Sequence, residues 1–291
     1  MGSNRQQRPD EQSMHAFFAL AALALLALTP CSALAGESRL ESLDAPVAGT
    51  DKTYLDLLRA FVPDLAADGM NWRGRNLDAD FAERFDLDKE WPDGLALDGV
   101  ETVAFERAGK KQLAVLFDFG PFSDVPQAPA ILALYALEKE PRLLDSLDVG
   151  LDRESGFAQP AFLDLGDDTT ALLTRSGHWN SSQSYRITSL VLATEGGLRP
   201  IDTVLTFSER LCGLSRVQEP AVSVDAAGSH PALRVEVTIR EETVEESCDT
   251  DPMPSPACTV SATYRLNEKT GTYEPDSDAL DELARQDEER F

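Results

Sequence analysis

The chain has 291 residues and a formal net charge of −25 at pH 7, with 51 Asp and Glu residues against 26 Lys and Arg residues. A surface this negative repels phosphate backbones and anionic lipid headgroups, which excludes nucleic acid as an expected partner. The charge is compatible with cationic ligands, with divalent ions or simply with solubility.

Residues 1–35 predict a signal peptide. An uncharged apolar run at 16–28 follows Arg5 and Arg8 and precedes the small-residue segment 33–35. This is the order of basic region, apolar region and cleavage site in exported proteins. We expect cleavage at the end of this segment and an extracytoplasmic protein, periplasmic or secreted, without a membrane span.

Two other fates of the N-terminus remain open. The segment 16–35 is long enough to cross a hydrocarbon core of about 30 Å, which would make it a retained anchor. A lipid anchor at Cys31 is the second alternative, because Leu28 lies three residues before this cysteine. Pro30, however, occupies the position where lipoprotein signals have a small residue.

Cysteine usage predicts one disulfide. Export to an oxidising compartment favours a bond between Cys248 and Cys258, which would close a short proline-rich loop. Cys212 is then left free or in an alternative pairing. A zinc site is not expected, because neither His178 nor His230 has zinc-site spacing from a cysteine.

Residues 36–98 predict a polar lead segment followed by a helical region. A helix beginning at Asp51 and ending at Pro63 is indicated by an apolar stripe at helical spacing, formed by Tyr54, Leu57, Leu58 and Phe61. A second short helix is predicted near 78–85. We expect this region to pack over one end of a β domain.

A block that occurs three times predicts the fold of residues 99–291. Each copy has an apolar strand that ends in an acid, a small-residue turn and a second apolar strand, and the acids are Glu106, Asp164 and Asp225. The interval of about 60 residues is typical of multi-strand β repeats. Each copy continues, after a longer variable loop, with a second hairpin.

The expected fold is therefore mainly β, with three four-stranded antiparallel meander repeats. Four antiparallel strands are the unit of a propeller blade, but three blades are too few to close a propeller. Either residues 64–99 supply further strands, or the copies form an open or sandwich-like stack. A helix at 277–284 is expected to cap the C-terminus of the β-repeat domain.

One turn suggests a metal site. Asp164, Asp167 and Asp168 surround a glycine in the second copy, and this turn resembles the calcium-binding loops of FG-GAP propellers. The corresponding turns at 106–111 and 225–230 lack the additional carboxylates. We therefore expect a solvated turn and no cofactor, and a calcium site, which the resemblance implies, is the alternative.

His178, Trp179 and Asn180 are the candidate ligand contacts. They are expected to begin the long loop of the second copy, close to Ser176. A nucleophile elbow of the Gly-x-Ser-x-Gly type is absent from this stretch, so no catalytic residue is assigned.

These observations predict a non-catalytic extracytoplasmic β-repeat protein, a binding or structural module of the cell envelope whose loops contact a protein or an envelope component. A secreted hydrolase using loop carboxylates is the first alternative, and carboxylates converging in a cleft would favour it. A calcium-stabilised repeat protein is the second.

Overall fold

The computed structural model describes the backbone of residues 38–39 and residues 42–120, 129–166, 168–211, 213–226, 230–244 and 253–290. The predicted signal peptide and Cys31 lie outside these residues. In the part of the chain that is described, no helix is both long and apolar enough to cross a membrane.

The described residues form three helices, each at or near a predicted helix: α1 (Tyr54–Leu58), α2 (Ala79–Arg84) and α3 (Ala279–Glu288). Helix α1 begins later than predicted because Thr53 is its N-cap. The Thr53 hydroxyl accepts from the Asp56 N–H at 3.2 Å, and the Asp56 carboxylate accepts from the Thr53 N–H at 2.9 Å. This reciprocal capping box fixes the first turn.

Within the described ranges, the first sheet contains seven strands: β1 (Ser38–Arg39), β2 (Ala66–Asp68), β3 (Asn71–Asn76), β4 (Glu90–Arg107), β5 (Lys110–Gly120), β6 (Ala130–Ala136) and β7 (Arg142–Asp148). Strands β2 to β7 follow one another as an antiparallel meander, and β1 pairs with β4. The boundary predicted at residue 98 lies within β4, so the N-terminal region and the first repeat share this sheet.

The second sheet, in the part of the chain that is described, is an eight-stranded antiparallel meander: β8 (Glu154–Asp164), β9 (Thr170–Trp179), β10 (Gln183–Thr194), β11 (Gly197–Leu211), β12 (Leu214–Asp225), β13 (Ala232–Thr243), β14 (Cys258–Asn267) and β15 (Thr272–Pro275). The three predicted copies are therefore β4–β7, β8–β11 and β12–β15, which we call meanders 1, 2 and 3. Meanders 2 and 3 belong to one open sheet, which favours the open stack over separate propeller blades.

The second sheet nearly divides between meanders 2 and 3. Strands β11 and β12 are both long, yet they pair only over three residue pairs beside their turn, from Glu209↔Arg216 to Leu211↔Leu214. Beyond these pairs, the side chain of Gln218 replaces a backbone partner and accepts from the Phe207 N–H at 3.0 Å. The separation allows β12 to pass near β8, at the far edge of meander 2.

In the described residues, three apolar cores lie between successive layers, which are the N-terminal helices, the first sheet, meander 2 and meander 3. The first joins α1 and α2 to one face of the first sheet, the second joins the other face of that sheet to meander 2, and the third joins meander 2 to meander 3 and α3. On β10, Val191 and Ala193 lie in the second core, whereas Leu190 and Leu192 lie in the third. Meander 2 is thus buried on both faces, which explains its continuous apolar runs.

The buried strands should dominate stability. Leu132→Ala on β6 removes a side chain with 0% exposure from the second core, and we expect it to lower the free energy of unfolding by about 2–5 kcal/mol. The matched change Leu143→Ala, at a β7 position that is 39% exposed, should cost about 0.5 kcal/mol or less. Urea unfolding followed by circular dichroism measures both, and equal losses would contradict the layered core.

Candidate functional site

The two sheets meet through carboxylates that bind a strand edge. Among the described residues, strand β8 is the edge of the second sheet, so the N–H groups on its outer side have no strand partner there. The Ser155 N–H donates to the Asp118 carboxylate at 3.1 Å, and the Phe157 N–H donates to the Glu101 carboxylate at 2.6 Å. Two acids of the first sheet therefore satisfy successive outward N–H groups of the second.

The strand register places both acids on the face that looks toward meander 2. On β5, Ala114 and Leu116 lie in the second core, and Asp118 continues the same alternation. On β4, Glu101 is the direct cross-strand partner of Leu116. The apolar core therefore ends at Leu116, and carboxylates continue its face toward the end of the sheet.

A cleft of about 430 Å³ begins beyond Leu116, where the sheet face carries Glu101 and Asp118 instead of apolar side chains. Strands β4, β5 and β8–β12 line it. Among the described residues, its acids are Asp98, Glu101, Asp118, Glu154 and Glu219, and its arginines are Arg175 and Arg186. Carboxylates outnumber guanidinium groups in this part of the lining, which gives it a negative charge.

A β-bulge adds Asp98 to the acids of the cleft. The register of β4 against β5 shifts between Leu97 and Gly99, which makes Asp98 the extra residue. Bulges redirect side chains in this way. The redirected carboxylate lies near enough to Asp118 to raise the pKa of that group.

Asp118 is the most perturbed carboxylate of the cleft. Its side chain is 6% exposed, and among the described residues no Lys, Arg or His side chain pairs with it. Burial raises its pKa to about 7, against the opposing effect of the Ser155 N–H, and the charges of Asp98, Glu101 and Glu154 raise it further. Strongly perturbed acids in a cleft are typical of functional sites.

The Arg175 side chain approaches Glu101 next to Gly156, which has no side chain to block it. Gly156 on β8 is its cross-strand partner, and a Cβ at Gly156 would lie 2.8 Å from the Glu101 carboxylate. The absence of this side chain allows the Arg175 guanidinium to approach Glu101, with Nη2 and Oε1 3.8 Å apart. That separation is an ion pair without a hydrogen bond.

His178 and Tyr185 form a fixed aromatic pair at the cleft. They are direct cross-strand partners on β9 and β10, and their ring centroids are 6.1 Å apart in a stacked arrangement. Asp152, which is 9% exposed, accepts a hydrogen bond from the Tyr185 hydroxyl and lies 3.7 Å from His178 Nδ1. The carboxylate therefore fixes the Tyr185 ring by a hydrogen bond, and the His178 ring stacks on that ring.

The structure brings two of the three predicted ligand contacts to the cleft. His178 and Trp179 line it, and the Trp179 side chain is 61% exposed. Asn180 lies beside it, where its side-chain oxygen accepts from the N–H groups of Ser182 and Gln183 at 2.9 and 2.8 Å. Asn180 thus stabilises the turn between β9 and β10.

The expected long loop at His178 is wrong. Strand β9 continues through Trp179 and β10 begins at Gln183, so only three residues connect them. The backbone pairing of Tyr185 with His178 and of Ser184 with Trp179 extends the hairpin to the turn. The candidate contacts are therefore held by a rigid hairpin.

The predicted metal turn is only partly described. Asp164 and Asp168 are exposed, and the Asp164 carboxylate accepts from the Gly166 N–H at 2.9 Å, while Asp167 lies outside the described residues. Throughout the described part of the chain, no three His, Cys, Asp or Glu side chains form a group that could hold a metal ion. Calcium binding here stays a prediction.

The predicted disulfide also stays a prediction. Cys258 begins β14 and is exposed, whereas Cys248 and Cys212 lie outside the described residues.

Sequence reasoning missed the acids and arginines of the cleft. One signal for Asp118 was present: a single carboxylate interrupts the apolar run Leu116-Phe117-Asp118-Phe119. In a strand buried on both faces, such an acid requires a partner or a function. Glu101, Arg175 and Arg186 gave no such signal, since they come from three separate strands.

The fold and the site together define an open, layered β-meander protein with an acidic cleft between its sheets. No protein-family model, no curated protein and no solved structure matches the chain.

The raised pKa of Asp118 predicts how stability depends on pH. Between about pH 4 and pH 7, the folded protein keeps a proton that the unfolded chain releases, so this group makes stability fall as pH rises through that window. Asp118→Asn keeps an acceptor for the Ser155 N–H but cannot ionise. We expect the variant to be more stable than the wild type at pH 8, by up to about 4 kcal/mol, and similar to it at pH 4.

Urea unfolding at pH 4, 6 and 8 measures this difference. The control is Asp278→Asn, because Asp278 is exposed and its side chain forms no capping hydrogen bond on α3. A constant difference between wild type and Asp118→Asn across the three pH values would contradict the raised pKa.

Proposed function

We propose that the protein is an exported, non-catalytic binding module of the cell envelope that receives a small organic ammonium ligand in its cleft. The observation that carries the proposal is Asp118, a buried carboxylate that lines the cleft, has acids around it and pairs with no cation among the described residues. Export is supported by the N-terminal sequence pattern.

An ammonium group would relieve the electrostatic cost of Asp118. A buried carboxylate without a cation is unfavourable, and the nearby Asp98, Glu101 and Glu154 add repulsion. A cation placed among them would favour ionised Asp118. Ligand binding and the ionisation of this group are therefore linked.

Other groups in the cleft favour an organic cation over a divalent metal ion. Arg175 lies 3.8 Å from Glu101. Its charge would repel a divalent ion bound there about twice as strongly as a singly charged ammonium group. His178, Tyr185 and Trp179 supply aromatic surface, on which an organic cation gains contact area and cation–π attraction.

The serines of the cleft support binding over nucleophilic catalysis. The hydroxyls of Ser155 and Ser176 lie 2.7 Å apart, and Ser176 also donates to the Val149 carbonyl at 3.2 Å. Among the described residues no hydrogen bond joins either hydroxyl to His178. A serine paired with a base, which acyl transfer requires, is therefore not assembled.

Calorimetric titration with 2-phenylethylamine tests the proposal. We expect the wild type to bind this amine at pH 8 with a Kd at or below about 1 mM, and more weakly at pH 6, because protonation of Asp118 removes its charge. Asp118→Asn should weaken binding at least about tenfold, since a charge-assisted hydrogen bond is lost. Asp278→Asn is the matched control and should bind as the wild type does.

Two results would overturn the proposal: no binding of the amine by the wild type, or equal binding by Asp118→Asn. Far-ultraviolet circular dichroism of each variant verifies that the sheets are intact.

Hydrolysis is a second candidate, and one arrangement favours it. Asp118 and Glu101 lie diagonally on neighbouring strands, on the same face and in the same cleft. A carboxyl with a pKa of about 7 can donate a proton at neutral pH, while a second carboxylate acts as base or nucleophile.

Incubation with p-nitrophenyl glycosides separates the two candidates. Turnover by the wild type that is lost in both Asp118→Asn and Glu101→Gln would favour hydrolysis. Amine binding without turnover would favour the binding module.

A further inference from the structure

The cleft contains cationic groups that an ammonium ligand alone does not use. Arg175 on β9 pairs across the strands with Thr188, and Arg186 on β10 pairs with Gly177. This register makes the two arginines diagonal neighbours on one face of meander 2. Like charges placed this way repel each other, so their retention in one cleft requires an explanation.

Among the described residues, no carboxylate accepts a hydrogen bond from either guanidinium group. Arg175 forms an ion pair with Glu101, but the distance of 3.8 Å is too long for a hydrogen bond. Within the described part of the chain, the guanidinium of Arg186 has no hydrogen-bond or ion-pair partner. The two fork-shaped donors therefore remain available to a carboxylate that enters the cleft.

Gly177 is the cross-strand partner of Arg186, at a point where the two strands approach closely. A Cβ at this position would lie 2.8 Å from the Tyr185 carbonyl oxygen, so the close approach of the two strands excludes any side chain there. Gly177 also lines the cleft. No side chain at position 177 therefore covers its cross-strand partner Arg186.

We propose that the cleft binds a small zwitterion, a free amino acid or a short peptide, with its ammonium group at Asp118 and its carboxylate at Arg175 and Arg186. The inference rests on the proposed function, because it takes the same cleft and the same ammonium position and adds the carboxylate. A volume of about 430 Å³ suits a ligand of this size and is near the small end of ligand pockets.

Four probes with a common aromatic group test the two charges separately. Phenylalanine and glycyl-phenylalanine carry both charges, 2-phenylethylamine lacks the carboxylate, and 3-phenylpropionate lacks the ammonium group. The aromatic group is chosen because Trp179 and Tyr185 line the cleft. We expect at least one zwitterion to bind about tenfold or more tightly than either singly charged probe, and the better zwitterion identifies the ligand length.

Arg186→Gln tests the carboxylate position. The variant should lose about tenfold in affinity for the preferred zwitterion. It should lose none for 2-phenylethylamine, because removing a positive charge does not weaken the binding of an ammonium group. Arg142→Gln is the control, because Arg142 is exposed on β7 and outside the cleft. Arg186 and Arg142 are both exposed, so neither substitution should disturb folding.

The outcomes distinguish the two proposals. If 2-phenylethylamine binds as tightly as both zwitterions and Arg186→Gln changes nothing, the zwitterion inference is wrong and the ammonium site stands. If 3-phenylpropionate alone binds, or no probe binds, the inference and the proposed function both fail.

Discussion

The structure depends on how the edge of β8 is satisfied. An exposed strand edge offers unpaired N–H groups, and here Glu101 and Asp118 accept from two of them across the junction of the sheets. The same contacts hold these carboxylates in a buried region between the sheets. For Asp118, burial and the neighbouring acids raise the pKa to about 7. A contact that joins the sheets is thus also the source of the perturbed group in the cleft.

The layered arrangement determines where a cleft can form. Between Ala114 and Leu116 on one side and Phe157 and Leu172 on the other, the sheets close on an apolar core. Past Leu116 the same face carries acids, while β11 and β12 separate beyond Glu209. The cleft therefore lies where the apolar packing between the sheets ends and where the backbone pairing of β11 with β12 ends.

Much of the fold could be predicted because its signals are local. The strand-ending acids Glu106, Asp164 and Asp225 lie where each hairpin turns, and the apolar spacing of α1 identifies its buried face. The strand extension at His178 and Trp179 was missed, because polar residues there alternate without an apolar pattern. Their strand conformation comes from cross-strand partners on β10.

The sequence alone determined the mainly β class, the three meanders, the terminal helices and the acidic character of the protein, since hydrophobic period, turn residues and charge are properties of short segments. Tertiary structure decided that meanders 2 and 3 share one sheet, and that Asp118 meets Ser155 and Glu101 meets Phe157 at the junction. It also decided that Arg175 and Arg186 face the same cleft. These contacts join residues from separate strands, and only the packing of layers brings such residues together.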